Sequence, residues 1–581
     1  MMCSEGEAMS VTSFFIKLVN RRSVNRFLTA TWNPLQYQTD TLMRMLRKNE
    51  NTRYGKRYGF STIRTIQEYQ KQVPVVNYET LKDEMEQIVN GERNIFTAEN
   101  PIMFAQTSGT TGKPKFIPVT PTCQGKVHQD VMRVWLYHAQ RDHPDIFDSK
   151  IVSLVSPAIE GYTPAGIPYG STSGHIYKNI PALIKKSYSI PYSVFEIRDY
   201  QAKYYTIMRI ALEHDVRCLT TANPSSILKM CEKANEFSED IIQDIQDGKL
   251  SENYEIEPGI RTEVEADLHP NPTRARELQE FRSRRNGKLL PGDYWQNLSL
   301  IGCWKGGTVG YYLDRFPDWF NPDGVRNVPV RDWGYLASEV RGSVPLSDEG
   351  SAGVLTVASN FFEFVDLEEL EASPDDYTRW NFLTAQQLED GREYYIFITT
   401  TAGLYRYDIN DVVRVEGRLN HTPQIYFVRK GRGMTNITGE KVSVNQIITS
   451  IQQAAQTSGV LVKHFKAEAD MENCRYILRV ELAHPGDQSS QKHFLQAFDK
   501  HLKGSNIEYK SKRESLRLYP PVLHLMREGW YERTKRMQTE TGMRQFQAKT
   551  ELLSPMKQQT MMIKPELISI VEMDEVAQQN D

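Results

Sequence analysis

Between Gln106 and Val119 the chain reads Q-T-S-G-T-T-G-K-P-K-F-I-P-V. Thr107, Ser108, Gly109, Thr110, Thr111 and Lys113 bring hydroxyls, flexible backbone and one cation into a few positions. That mixture suits polyphosphate binding. Glycines let backbone N–H groups turn inward, hydroxyls add donors, and a lysine offsets charge. The stretch is not a Walker A loop, which would need glycine where Thr107 stands and Ser or Thr where Pro114 stands. An ordinary Gly/Ser/Thr turn is the alternative reading.

Four later positions could also do chemistry. Glu339 closes a Tyr335-x-x-Ser338-Glu339 run. A carboxylate near a phosphate loop suits Mg²⁺, which takes few protein oxygens and shares phosphate oxygens. Taken alone, Glu339 reads as a surface carboxylate. Asp411 ends Tyr405-Arg406-Tyr407-Asp408-Ile409-Asn410-Asp411. A carboxylate there could accept both ribose hydroxyls, or simply close a turn. Arg429 could grip a phosphate or cap a strand. Lys549, in Gly542-Met543-Arg544-Gln545-Phe546-Gln547-Ala548-Lys549, is unmarked among the 70 Lys and Arg residues.

The elements around these positions follow from periodicity and punctuation. Met103, Phe104 and Ala105 predict a strand before the loop, and Phe116, Ile117 and Val119 one after it. That second strand replaces the helix a Walker A loop opens. Asn33-Pro34 starts a helix whose apolar face is Leu35, Leu42, Met45 and Leu46. Tyr78 to Asn90 predicts another, with Leu81, Met85, Ile88 and Val89 on one side and Gly91 as its end. Strands are expected at Ile151–Val155, Cys218–Thr221, Leu298–Cys303, Val354–Ala358, Phe361–Val365 and Tyr394–Thr400, with Gly403–Val415 following the last. Helices are expected at Tyr200–His214, after Asn223-Pro224, and at Thr273–Arg285, whose arginines read as a solvated face. Gly161 to Tyr192, rich in Gly, Pro, Ser and Tyr, reads as loops that line a pocket or run over the surface. Trp304–Tyr312 is a second pocket candidate. After the basic, glycine-rich Arg429–Gly433 the pattern changes to strands near Lys463–Ala467 and Tyr476–Leu482 and a helix near Gln491–Leu502. This predicts a small α+β domain over 434–581, a hinge at 429–433 and a large domain over 1–428.

The order of these motifs resembles the adenylate-forming superfamily, which includes acyl-CoA synthetases and firefly luciferase. That order is the Thr/Ser/Gly-Lys loop, Gly306-Gly307-Thr308, Tyr-x-x-Ser-Glu, Tyr-Arg-x-x-x-x-Asp, a basic hinge and a late lysine. Within the superfamily the chain is most similar to the Gretchen-Hagen acyl-acid amido synthetases, the auxin-responsive promoter family. Val73-Pro74-Val75-Val76-Asn77-Tyr78-Glu79 with Asn90-Gly91-Glu92 matches that family's approach to the loop. Phe361-Phe362-Glu363-Phe364, Thr399 to Tyr407 with its Ala-Gly-Leu-Tyr-Arg-Tyr core, and the Gly-x-x-x-x-Gln-x-Lys spacing ending at Lys549 carry the rest. The resemblance runs roughly from residue 30 to 555. Asn410 stands where the family has glycine, and asparagine tolerates the left-handed backbone such a turn needs. Glu551 and Leu552 replace the family's proline and arginine.

The resemblance implies an α/β fold: a large N-terminal domain of mixed sheets and a β-barrel, plus a small mobile C-terminal domain. It implies two half-reactions. A carboxylate attacks the α-phosphorus of ATP, giving acyl-AMP and pyrophosphate; an amine, probably of an amino acid, then takes the acyl group and releases AMP. By the same resemblance, Thr107 to Lys113, Tyr335, Ser338, Asp411 and Arg429 bind ATP, and Glu339 holds Mg²⁺. Lys549, with Gln547, acts at the transferred phosphate. Tyr335 contacts adenine, whereas Phe362 reads as a core strand residue. Acyl-CoA ligation and nucleotide binding without catalysis are the competing readings.

Composition bounds the rest. At 581 residues the chain needs more than one core. A net charge of −3 argues against general nucleic-acid binding. No apolar run reaches the ~18 residues that span a bilayer. The six scattered cysteines suit reduced thiols in a cytosol. A cytoplasmic monomer acting on small acids and amines, with no nucleic-acid or membrane partner, is the expectation.

Overall fold

The computed structural model describes residues 11–107, 115–374, 376–484, 486–531, 533–534, 552–556 and 566–573. The chain forms a mixed α/β fold in two compact units. Met1–Gln106 and Phe116–Arg429 belong to the first, and Lys430–Asp581 to the second.

Among the described residues, three sheets build the first unit. The largest runs in the order Phe361–Asp366, Glu393–Thr399, Tyr407–Leu419, Thr422–Lys430, Gly353–Leu355, Ser343–Val344. Its first three strands pair antiparallel, Phe362 facing Ile398 and Tyr394 facing Val413. Phe361, Phe362, Ile396, Ile398 and Val413 are buried in one core with Leu42, Leu46, Met85 and Ile88 of the early helices. The Pro34–Asn49 helix starts at Asn33-Pro34, although the Asn33 side chain makes no cap bond. Leu35 is exposed rather than part of the buried face; Gln38 lies on that face and bonds the Phe362 amide and the Val357 and Asn360 carbonyls.

A second sheet is parallel: Lys150–Ser153, Val216–Thr220, Leu300–Gly302 and Val330–Arg331. Asn223 caps the Pro224–Glu236 helix by accepting the Ser225 amide at 2.9 Å. The third sheet corrects the loop reading of Gly161 to Tyr192. Pro168–Gly170 is a strand, pairs parallel with Met103–Thr107, and is followed by a Thr172–Lys178 helix. A three-residue strand carries no readable alternation, so composition hid it. Lys115–Val119 lies on the other side of Met103–Thr107, which gives the strand–loop–strand arrangement expected from sequence. Two arginines of the Pro272–Arg284 helix are in ion pairs, Arg274 with Glu277 and Arg282 with Glu239, and Arg285 at its end pairs with Asp293.

In the second unit Leu553–Pro555, Val462–Asp470, Arg475–Leu482, Val522–Met526 and Leu567–Val571 form one sheet. The Val444–Ser458 and Gln488–Ser505 helices pack on each other. A capping box, Ser443 with Gln446, starts the first, and Gly459 at φ +70° ends it. The five described cysteines are buried free thiols. No described helix is long and apolar enough to cross a membrane.

Candidate active site

The run from Asp332 to Glu339 is held by its first residue. The Asp332 carboxylate accepts the amides of Lys305, Gly306 and Gly334, tying the Gly-Gly-Thr segment to the Tyr-x-x-Ser-Glu segment. Burial pushes its carboxyl up to about 6, against the pull of those three amides. Trp135 and Trp333 stack at 4.1 Å beside it, and the Trp135 indole donates to the Asp332 carbonyl at 2.7 Å. Gly334 has φ +81°, and a Cβ there would collide with the Ser343 carbonyl oxygen. A Cβ on Gly342 would strike the Tyr335 ring, so the absence of a side chain there makes room for it.

Tyr335 is buried, and its hydroxyl donates to Asp411 Oδ2 at 2.7 Å. The two are 76 positions apart, and no sequence pattern signals their contact. Burial first, then the carboxylates of Asp411 and Glu339, hold the Tyr335 phenol well above its ordinary value, so the proton stays on it. The Tyr407 phenol is raised by burial and by Glu339 as well. Tyr335, Glu339, Tyr407 and Asp411 therefore converge. Glu339 is buried rather than on the surface, and its Oε2 finds no hydrogen-bond partner. An orphaned buried carboxylate oxygen fits a bound cation, and Mg²⁺ sharing phosphate oxygens fits this donor. Ser338 sits half-buried in the turn closed by the Ala337 amide on the Val340 carbonyl at 2.9 Å.

Asp411 occupies a bulge. Ile396 faces Asp411 while the next residue, Phe397, faces Asp408, so Ile409 and Asn410 are extra. Asn410 takes φ +56°, the left-handed turn for which asparagine substitutes for glycine. Arg429 is near the end of its strand and pairs with Glu371 at 2.8 Å. Thr107 ends its strand. Ser108, Gly109, Thr110, Thr111, Lys113, Gln547 and Lys549 lie outside the described residues.

Three of the four stretches that carry the specific resemblance meet on Arg406. Its guanidinium Nε donates to both Glu363 oxygens at 3.2 and 3.1 Å, and its Nη1 donates to the Gln70 and Val73 carbonyls at 2.7 and 2.9 Å. The Phe382 ring lies 4.2 Å from the guanidinium carbon. Val76 bridges the same strand, its amide donating to the Arg406 carbonyl and its carbonyl accepting the Asp408 amide. Arg406 is thus an internal clamp between Phe361–Asp366, Tyr407–Leu419 and the Val73–Val76 segment.

Known proteins match the chain along its length. The GH3 family N-terminal domain matches residues 23–325, the GH3 family central domain 353–430 and the GH3 family C-terminal domain 445–558. The chain belongs to the GH3 family. Among GH3 relatives, the indole-3-acetic acid-amido synthetase GH3.4 of Arabidopsis thaliana is 24% identical over 531 residues, 86% of each chain. The jasmonoyl–L-amino acid synthetase JAR6 of Nicotiana attenuata is 24% identical, covering 76% of this chain and 77% of its own. The structure of the AtGH3.15 acyl acid amido synthetase in complex with 2,4-DB has the same fold, with a TM-score of 0.63, 18% identity and 99% of each chain covered.

Three further residues, linked to this region through Arg341, had no sequence signal. Cys123 and His128 open the helical stretch after the Lys115–Val119 strand, with Sγ 3.4 Å from Nε2. Arg341, two positions beyond Glu339, lies close enough for its charge to shift both. Burial, then Arg341, pulls the His128 imidazole down to about 3. Its folded value is depressed below the ordinary 6.5, so its stabilising contribution is complete above pH 6.5 and is lost as pH falls toward 3. At about 1.4 kcal/mol per pH unit, roughly 2–3 kcal/mol should disappear between pH 6.5 and 4.5. Urea melts at both pH values should show that loss in the wild type and not in His128→Gln. Equal pH slopes in the two proteins would mean that His128 is not held neutral.

Proposed function

We propose that this chain is an ATP-dependent acyl-acid amido synthetase. It activates a carboxylic acid as acyl-AMP, releasing pyrophosphate, and passes the acyl group to the amine of an amino acid with release of AMP. The observation that carries this reading is the convergence of Tyr335, Glu339 and Asp411 in one buried patch of a GH3-family chain. The relatives named above are synthetases that join acids to amino acids, and this chain spans most of their length.

Asp411, steadied by the Tyr335 hydroxyl, accepts the ribose hydroxyls and fixes the nucleotide. Thr107, Ser108, Gly109, Thr110, Thr111 and Lys113 offer donors to the phosphates. Glu339 would hold Mg²⁺, and the ion would offset charge on the leaving pyrophosphate. Ser338 precedes that carboxylate in the same turn. Lys549 supplies a cation where charge builds on the transferred phosphate, with Gln547 on the same segment. Arg429, engaged by Glu371 here, keeps a role at the nucleotide only if that pair opens.

The test is carboxylate-dependent ATP–pyrophosphate exchange over an acid panel, followed by mass spectrometry for an N-acyl amino acid. Exchange together with an amide product is the expected result. Adenylate formed but transferred only to CoA would replace this reading with a thioester-forming ligase. ATP binding without exchange for any acid would make the chain a nucleotide binder.

A further inference from the structure

Asp332 is a buried carboxylate, 3% exposed, whose two oxygens serve different segments. Oδ2 accepts the amides of Lys305 and Gly306, the latter at 3.3 Å, and Oδ1 accepts the amide of Gly334. Both oxygens face N–H donors, and only an ionised carboxylate can accept on both sides. An asparagine there could serve one segment and would turn its NH₂ group on the donors of the other.

The carboxylate stands on a fixed base. Arg331, just before it, pairs with Gly302 in the parallel sheet, and its guanidinium is held by Asp142 and Asp348, each at 2.6 Å. The Trp135 indole holds the carbonyl of Asp332 itself. The segments Asp332 reaches have softer backbone: Gly334 takes φ +81°, and Gly307, beside Gly306, takes φ +65°. The Lys305 ammonium ties its own segment to the same base, donating to the Val330 carbonyl at 3.1 Å and the Asp348 carbonyl at 2.5 Å. Tyr335 comes directly after Gly334. Its amide donates to the Ser343 hydroxyl at 2.8 Å, and its phenol reaches Asp411. The Gly334 amide is thus the point where the Tyr335 and Glu339 run is fastened to the sheet.

Resting on the synthetase reading above, we propose that Asp332 is a positioning residue for the nucleotide, holding the Lys305 and Gly306 backbone in fixed relation to Tyr335 so that Tyr335 and Asp411 meet the adenosine of ATP. The titratable groups facing Asp332 are the Lys305 ammonium, whose charge favours the carboxylate, and the Cys303 thiol, which burial keeps protonated. Trp135 and Trp333 are neutral, and the Arg331 guanidinium is turned to Asp142 and Asp348. Protonation of Asp332 puts a hydrogen on one oxygen, against an amide donor, and frees one segment. Burial holds the carboxyl up at about 6, so that release falls between pH 7 and 5.

Adenosine tests this without the protonation of ATP's own phosphates. Equilibrium dialysis gives its Kd for the wild type and Asp332→Asn at pH 7 and 5, and pyrophosphate exchange at pH 7 gives KM for ATP and for the acid. The wild-type Kd should weaken about tenfold from pH 7 to 5, as the carboxyl gains its proton. Asp332→Asn should bind adenosine about tenfold more weakly at pH 7 with no further loss at pH 5. It should raise the KM for ATP by a similar factor and leave the KM for the acid within about threefold. A residue that only supports the fold would lower Tm and leave these ligand constants alone, and that result overturns the proposal. A wild type whose adenosine Kd is flat with pH, or that binds no adenosine, overturns it too. If Asp332→Asn does not fold, the wild-type pH profile decides. A wild type that shows the adenosine profile but exchanges with no acid overturns the synthetase reading and leaves the hold of Asp332 on the nucleotide standing.

Discussion

Arg406→Leu is expected to destabilise the first unit by about 3–5 kcal/mol, because it strands the Glu363 carboxylate in the core without its partner. Both side chains are almost fully buried, at 5% and 1% exposure. The substitution also releases the Gln70 and Val73 carbonyls and empties the place over the Phe382 ring. Glu363→Leu should cost a similar amount, since it leaves an uncompensated guanidinium. The double substitution should cost less than the sum, because no unpaired charge remains; a double-mutant cycle from urea midpoints measures the difference. Arg406 touches neither Tyr335 nor Asp411, so protein that stays folded should keep its apparent affinity for ATP. Full stability with loss of pyrophosphate exchange would instead make Arg406 a substrate ligand.

That clamp shows what could and could not be read from the sequence. Phe361-Phe362-Glu363-Phe364, Val73 to Glu79 and Leu404-Tyr405-Arg406-Tyr407 stood out as patterns. Their reason, one ion pair across 43 positions, is a property of the packed sheet and leaves no local trace. Elements with a period or punctuation were legible. The strands on either side of the Ser108–Pro114 segment and the helices after Asn33-Pro34 and Asn223-Pro224 lie within a few residues of where apolar spacing puts them. The left-handed turn at Asn410 was legible from the resemblance, which puts glycine there, together with asparagine's tolerance of that backbone. Short elements such as Pro168–Gly170 were not, because their pairing with Met103–Thr107 is made by tertiary contact. Glu339 had the right neighbours in sequence but read as a surface residue, since burial of a polar side chain depends on what folds over it. Arg341 had no signal at all.

Lys549→Ala is expected to slow adenylation by about 10²-fold or more, the cost of losing a preorganised charged donor at a developing phosphate charge. Lys549 lies outside the described residues, but the chain just beyond it is anchored. The Leu552 carbonyl accepts the Ala467 amide at 2.9 Å, and Leu553–Pro555 pairs parallel with Val462–Asp470. Leu552, which stands where the resemblance has an arginine, thus leads directly into an edge strand of that sheet. The departure leaves Lys549 itself in place in the sequence. The effect should be confined to the first half-reaction. Pyrophosphate exchange falls, whereas AMP release from acyl-adenylate supplied with the amine stays near the wild-type rate, since no phosphoryl charge builds in that step. Lys549→Arg should recover part of the exchange, because it restores charge with a different shape. Equal loss in both half-reactions would assign Lys549 to folding or nucleotide affinity, and an unchanged exchange rate would remove it from the chemistry.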